Sequence, residues 1–188
     1  KGIFEQDTYN SPHSELAALG GYMTAKFLWN PDYDENTAVT EFLDGLCRRV
    51  AAHPFRLVHR DYHVNNLFLC GSAVRAVDYQ DMRGGPDTYD AVSLLRERAG
   101  GERLESDSDW REGAAAALGW APGWEVRYLE CAAQRGVKVI GTFLRLASWG
   151  RSGYLAKLPL VRRRAAESLA ELGAPRPLVE AALPPAAA

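Results

Sequence analysis

Gly71-Ser72 separates two short apolar runs, LFLC at 67–70 and AVRAV at 73–77. A two-residue loop that opens with glycine twists the same way as the strands it joins, so this stretch predicts an antiparallel hairpin. Pairing about that loop sets Cys70 opposite Ala73 and Asn66 opposite Val77. Asn66 and Asp78 then stand at the open mouth of one hairpin. Strict alternation sends their side chains to opposite faces, so they act together only if the backbone bends there. An amide oxygen beside a carboxylate is a hard donor pair of the kind that Mg²⁺ takes. Asp61 lies just upstream, free to act as a base. Taken singly, these residues read as an ordinary turn aspartate, a turn asparagine and a strand-end acid.

Helices are expected on both sides of the hairpin. Ser11-Pro12 is a good helix start, with Leu16, Leu19, Met23 and Phe27 at helical spacing after it. A second helix is predicted over residues 36–52, with Val39, Phe42, Leu43, Leu46 and Val50 on one face and His53-Pro54 as its stop. Arg83-Gly84-Gly85-Pro86 reads as a loop. A helix follows from about Asp87, carrying Tyr89, Val92, Leu94 and Leu95. Residues 99–108 read as an exposed loop, and Asp107 or Asp109 as the cap of a short helix that stops at Gly119.

The longest amphipathic run covers residues 125–148. Val126, Leu129, Ala133, Val137, Ile140, Leu144 and Ala147 form its apolar stripe. Arg127, Glu130, Gln134, Lys138, Gly141 and Arg145 form a polar stripe one position along, read by default as a solvated face. Pro159 opens a further helix with Val161, Ala165, Leu169 and Leu172 inward and Gly173 after its end. Pro177 starts one more short turn of helix, and residues 184–188 read as a frayed tail.

A net charge of −2 argues against nucleic acid or a membrane surface as partner. No apolar run approaches the roughly 20 residues that span a bilayer. The three cysteines, Cys47, Cys70 and Cys131, are odd in number and not spaced for metal, which fits a reducing cytoplasmic setting.

The string His59-Arg60-Asp61-Tyr62-His63 with Asn66, then Val77-Asp78-Tyr79-Gln80-Asp81, then Gly85-Pro86 with Tyr89-Asp90, resembles the catalytic loop and metal-binding aspartate of kinase-fold phosphotransferases. In its fuller form it is similar to the aminoglycoside phosphotransferase and choline kinase superfamily. Gln134-Arg135, Lys138-Val139-Ile140-Gly141-Thr142-Phe143 and Arg145 narrow the likeness to bacterial kinases of the anomeric hydroxyl of N-acetylmuramate and N-acetylglucosamine. The resemblance covers roughly residues 57–160. It departs at Val64-Asn65, where that family carries Ser-Arg.

The resemblance implies an α+β fold: the mainly helical C-terminal lobe of a protein-kinase-like fold, with a small β-hairpin carrying the metal site. It implies Asp61 as the catalytic base, Asn66 and Asp78 as ligands of Mg²⁺ on ATP, and His59, Arg60 and Asp90 as supports of the loop. His63, Asp81, Gln134, Arg135, Lys138 and Arg145 are candidates for substrate contact or a second metal. The expected partners are a nucleotide and a small-molecule alcohol. Rival readings are an aminoglycoside, choline or homoserine-type kinase of the same fold, and a non-catalytic pseudokinase or binding module.

From Arg127 to Arg164 the chain carries nine basic residues and one acid, which predicts a cleft suited to a neutral or anionic acceptor rather than a polycation. No G-x-G-x-x-G occurs, and none of the four lysines sits in a strand context suited to phosphate. The expected organisation is therefore a linker at 1–10 from an N-terminal lobe that this chain lacks, the C-terminal lobe at 11–183, and the tail.

Overall fold

The computed structural model describes residues 35–96 and 108–184. The helix expected after Ser11, the linker at 1–10, the cap at Asp107 and most of the tail lie outside the described residues. Helix α1 spans Glu35–Ala51. It buries Val39, Leu43, Leu46 and Val50, which recur every three or four residues and so share one face.

Two small antiparallel ribbons follow. Strand β1, Phe55–Val58, pairs with β4, Arg83–Pro86, with Arg56 opposite Gly85 and Val58 opposite Arg83. The stretch 83–86 was expected as a loop and is a strand instead. The glycines that argue against a strand let this ribbon close up, because a Cβ on Gly85 would stand 2.6 Å from Val58 Cγ2. Strands β2, Leu67–Cys70, and β3, Ala73–Ala76, form the expected hairpin with Cys70 opposite Ala73. Gly71 supplies the positive φ of the turn, at 64°.

The rest is helical: α2 Tyr89–Arg96, α3 Ser108–Leu118, α4 Trp124–Ser148, α5 Leu158–Glu171 and α6 Arg176–Ala182. Gly119 and Gly173, both left-handed, end α3 and α5 where expected.

Helix α4 is the axis of the molecule. It packs against α1, α2 and α5. Its neighbours reach close at Gly136, where a Cβ would lie 2.7 Å from that of Ala165 on α5. The main core joins Leu46 and Val50 of α1, Val92 and Leu95 of α2, Tyr128, Cys131 and Val137 of α4, Leu169 of α5 and Leu178 of α6. A smaller cluster at the far end of α4 holds Val139, Phe143, Leu158 and Val161.

The stripes expected on α4 need correcting. Val126 is 55% exposed, whereas Glu130 and Gln134 are 4% and 3% exposed. Surrounded by other elements, the helix has no solvated face between Tyr128 and Gln134. Glu130 is accommodated by charge: His53 Nε2 lies 2.7 Å from one carboxylate oxygen, and Arg49 Nε donates to the other. An unpaired carboxylate at that depth would cost several kcal/mol.

Candidate active site

The chain between β1 and β2 is held from three sides. Asp90, in the first turn of α2, accepts the backbone N–H of His59 at 2.6 Å and that of Arg60 at 3.0 Å, one on each carboxylate oxygen. The first turn of a helix favours such an anion. His59 is buried, and its Nε2 lies 2.8 Å from the carbonyl of Val77, the residue before Asp78. The carbonyl can only accept, so Nε2 carries the proton. That bond joins the Asp61 loop to the Asp78 strand end.

Within the loop, Asn66 donates from Nδ2 to the Asp61 carbonyl at 2.9 Å and to Asp61 Oδ2 at 3.3 Å. Buried His63 approaches the other oxygen, Asp61 Oδ1, with Nε2 at 3.2 Å. The Asp61 carboxylate is thus gripped on both oxygens yet half-exposed. Val77 N–H donates to the Asn66 carbonyl at 3.0 Å, extending the hairpin ladder to its mouth as expected. The bend that the hairpin requires is present: Asp78 has φ 63°, left-handed and rare for a residue with a side chain.

These contacts leave oxygen donors of the kind that Mg²⁺ takes. Both Asn66 N–H contacts go to Asp61, which leaves the amide oxygen as the available donor. Asp78 is exposed and contributes a carboxylate. Among the described residues no group of three His, Cys, Asp or Glu converges to hold a metal. An asparagine and an aspartate completed by phosphate oxygens and water is the sparse protein contribution that Mg²⁺ takes in nucleotide sites.

The remaining candidates divide. Asp81 is exposed and supports the charge of Arg60, whose guanidinium is pushed down first by burial and further by Arg83 and Arg135. Arg135 is buried under the loop, donating to the Arg60 carbonyl at 3.3 Å and Ser93 Oγ at 2.9 Å, with its guanidinium 4.3 Å over the Tyr89 ring. Lys138 Nζ lies 3.4 Å from the Tyr89 hydroxyl. Burial alone would raise the Tyr89 phenol, but Arg135, Lys138 and Arg60 together bring it below its ordinary value. Gln134 is buried, and its Oε1 has no hydrogen-bond partner. Arg145 is exposed near the end of α4 and lies over Trp149 at 5.3 Å, away from this group.

The nine basic residues do not line one cleft. Arg127 pairs with Asp87 at 2.9 Å, Arg162 donates to the Ala181 and Ala182 carbonyls, and Arg164 to the Arg96 carbonyl. Sequence reasoning missed the Asp87–Arg127 pair and the His53–Glu130–Arg49 cluster, which join distant segments and leave no local pattern.

A model of a domain of unknown function (DUF4838) matches residues 1–57, most of which lie outside the described residues. Three curated relatives are named N-acetylmuramate/N-acetylglucosamine kinase. The one from Neisseria meningitidis serogroup B is 34% identical over 126 residues, covering 62% of this chain and 38% of the relative. That from Pseudomonas aeruginosa is 32% identical over 148 residues, 69% of this chain and 43% of the relative. The Pseudomonas putida protein is 32% identical over 140 residues, 65% and 40%. The chain spans about two fifths of the length of the curated relatives it matches.

Proposed function

We propose that this chain supplies the catalytic loop of an ATP-dependent kinase with a protein-kinase-like fold, acting on the anomeric hydroxyl of N-acetylmuramate or N-acetylglucosamine. One observation carries the reading: Asp61, gripped by Asn66 and His63, lies in a loop that His59 ties to Val77, the residue before left-handed Asp78. The names of the three relatives support the kinase reading and the choice of acceptor. The charge balance supports it less than the sequence suggests, because several of the arginines tie elements together.

Phosphoryl transfer through a loose transition state needs positioning and charge neutralisation more than covalent chemistry. Asp61 supplies the positioning. His63 and Asn66 fix its rotamer, and its exposed side remains open to a hydroxyl whose oxygen it orients and whose proton it accepts late in the transfer. An anomeric hydroxyl is more acidic than an ordinary alcohol, so a weak carboxylate base suffices. Asn66 Oδ1 and Asp78 would hold Mg²⁺, which neutralises phosphate charge. Asp90 and His59 keep the two halves of the site in register.

The test offers the complete protein a reducing amino sugar and, separately, its alditol, which lacks the anomeric centre. A sugar 1-phosphate from the first and no product from the second is expected. Equal phosphorylation of both, or a preference for kanamycin or choline, contradicts the anomeric assignment.

A further inference from the structure

Among the described residues, Arg60 joins Asp78 as a non-glycine residue with a left-handed backbone, at φ 72°. A side chain at that φ crowds the backbone, so surrounding contacts must hold it there. Those contacts are on both sides of the residue. Its N–H goes to Asp90 Oδ1 at 3.0 Å, and its carbonyl, one bond from Asp61, accepts from Arg135 Nη1 at 3.3 Å. Arg135 is itself fixed, by Ser93 Oγ on its other prong and by the Tyr89 ring beneath its plane.

We infer that Arg135 is a positioning residue: it clamps the left-handed Arg60 from the carbonyl side and so sets where the Asp61 carboxylate points. The consequence for turnover rests on the phosphotransfer reading above; the clamp itself does not. A planar fork that bonds two acceptors while stacked on a ring is a task lysine cannot perform, so Arg135→Lys fails along with Arg135→Gln.

Two readouts test this in the complete protein. In Arg135→Gln, kcat falls on the order of 10²-fold, the cost of a small misplacement of a catalytic group, while KM for the nucleotide holds. The same substitution in an Arg60→Gly background costs several-fold less, because glycine adopts φ 72° without crowding. Equal losses in both backgrounds overturn the inference, as does a raised acceptor KM at unchanged kcat, which would make Arg135 a substrate contact.

Amide hydrogen exchange provides the second readout and needs no activity. The His59 and Arg60 amides exchange at least tenfold faster in Arg135→Gln while those inside α1 keep their rates; unchanged exchange at Arg60 overturns the clamp. A parent protein with no kinase activity defeats the reading above and leaves this result standing. Should Arg135→Gln not fold, Ser93→Ala, which frees one prong, carries the same measurement: faster exchange at Arg60 supports the clamp and no change contradicts it.

Discussion

Helix α4 and the β2–β3 hairpin invert the usual rule in opposite directions. The helix buries Glu130, Gln134 and Arg135, whereas the hairpin leaves Leu69 80% and Val74 60% exposed. On the helix, inward polar groups do work on other segments: Glu130 holds the end of α1 through His53, and Arg135 reaches the loop. On the hairpin, the apolar side chains hold little, and the strands deliver Asn66 and Asp78 to one mouth. One region is built for rigidity, and the other brings two polar side chains to one open end.

Thiol labelling should separate the two regions most widely. Cys131 on α4 is pushed up to about 12, first by burial, whereas Cys70 on the hairpin is exposed. The thiolate is the reactive form, so at pH 8 the Cys131 thiol should react on the order of a thousandfold more slowly than an ordinary thiol. Cys70 should label first, and early labelling of Cys131 in folded protein would break the contrast. The same shift gives a pH dependence. With the folded value raised above the unfolded one, the stabilisation is fully present below about pH 9 and falls as pH rises toward 12, since the unfolded state then binds fewer protons.

Glu130→Ala should cost about 1–3 kcal/mol in denaturant unfolding, because it leaves buried His53 without its partner, while half-exposed Arg49 stays hydrated. A loss under about 1 kcal/mol would mean that this buried cluster holds nothing. Gly136→Val should cost about 1–3 kcal/mol by driving α4 off Ala165. Leu69→Ser on the hairpin should change stability by no more than about 0.5 kcal/mol. A larger loss there would show that the hairpin is packed after all.

Legibility followed the range of the interactions. The hairpin register rests on Gly71-Ser72 and two adjacent runs, and α1 on a periodic stripe, so both could be read locally. Asp90 was readable because a first-turn acid after Tyr89 is part of a recurrent string. Strand β4 was hidden, since Gly84-Gly85-Pro86 carries loop composition and its partner, β1, lies far back in the chain. Burial of α4 on most sides was partly visible: Tyr128, Cys131, Ala132, Val139 and Phe143 fall off the expected stripe, so the helix is apolar on more than one side. The partners of Glu130 lie 77 and 81 residues away, and no local pattern announces them.

Phosphotransfer by the Asp61 loop at the mouth of the hairpin is what the proposed function requires. Asp61→Asn in the complete protein tests it most directly, with turnover and Mg²⁺·ATP binding measured on the same sample. The expected result is a fall in kcat of about 10²–10⁴-fold, the usual loss on removing a positioned base, with the nucleotide Kd within about twofold. A variant that keeps more than about half of the parental rate would contradict it.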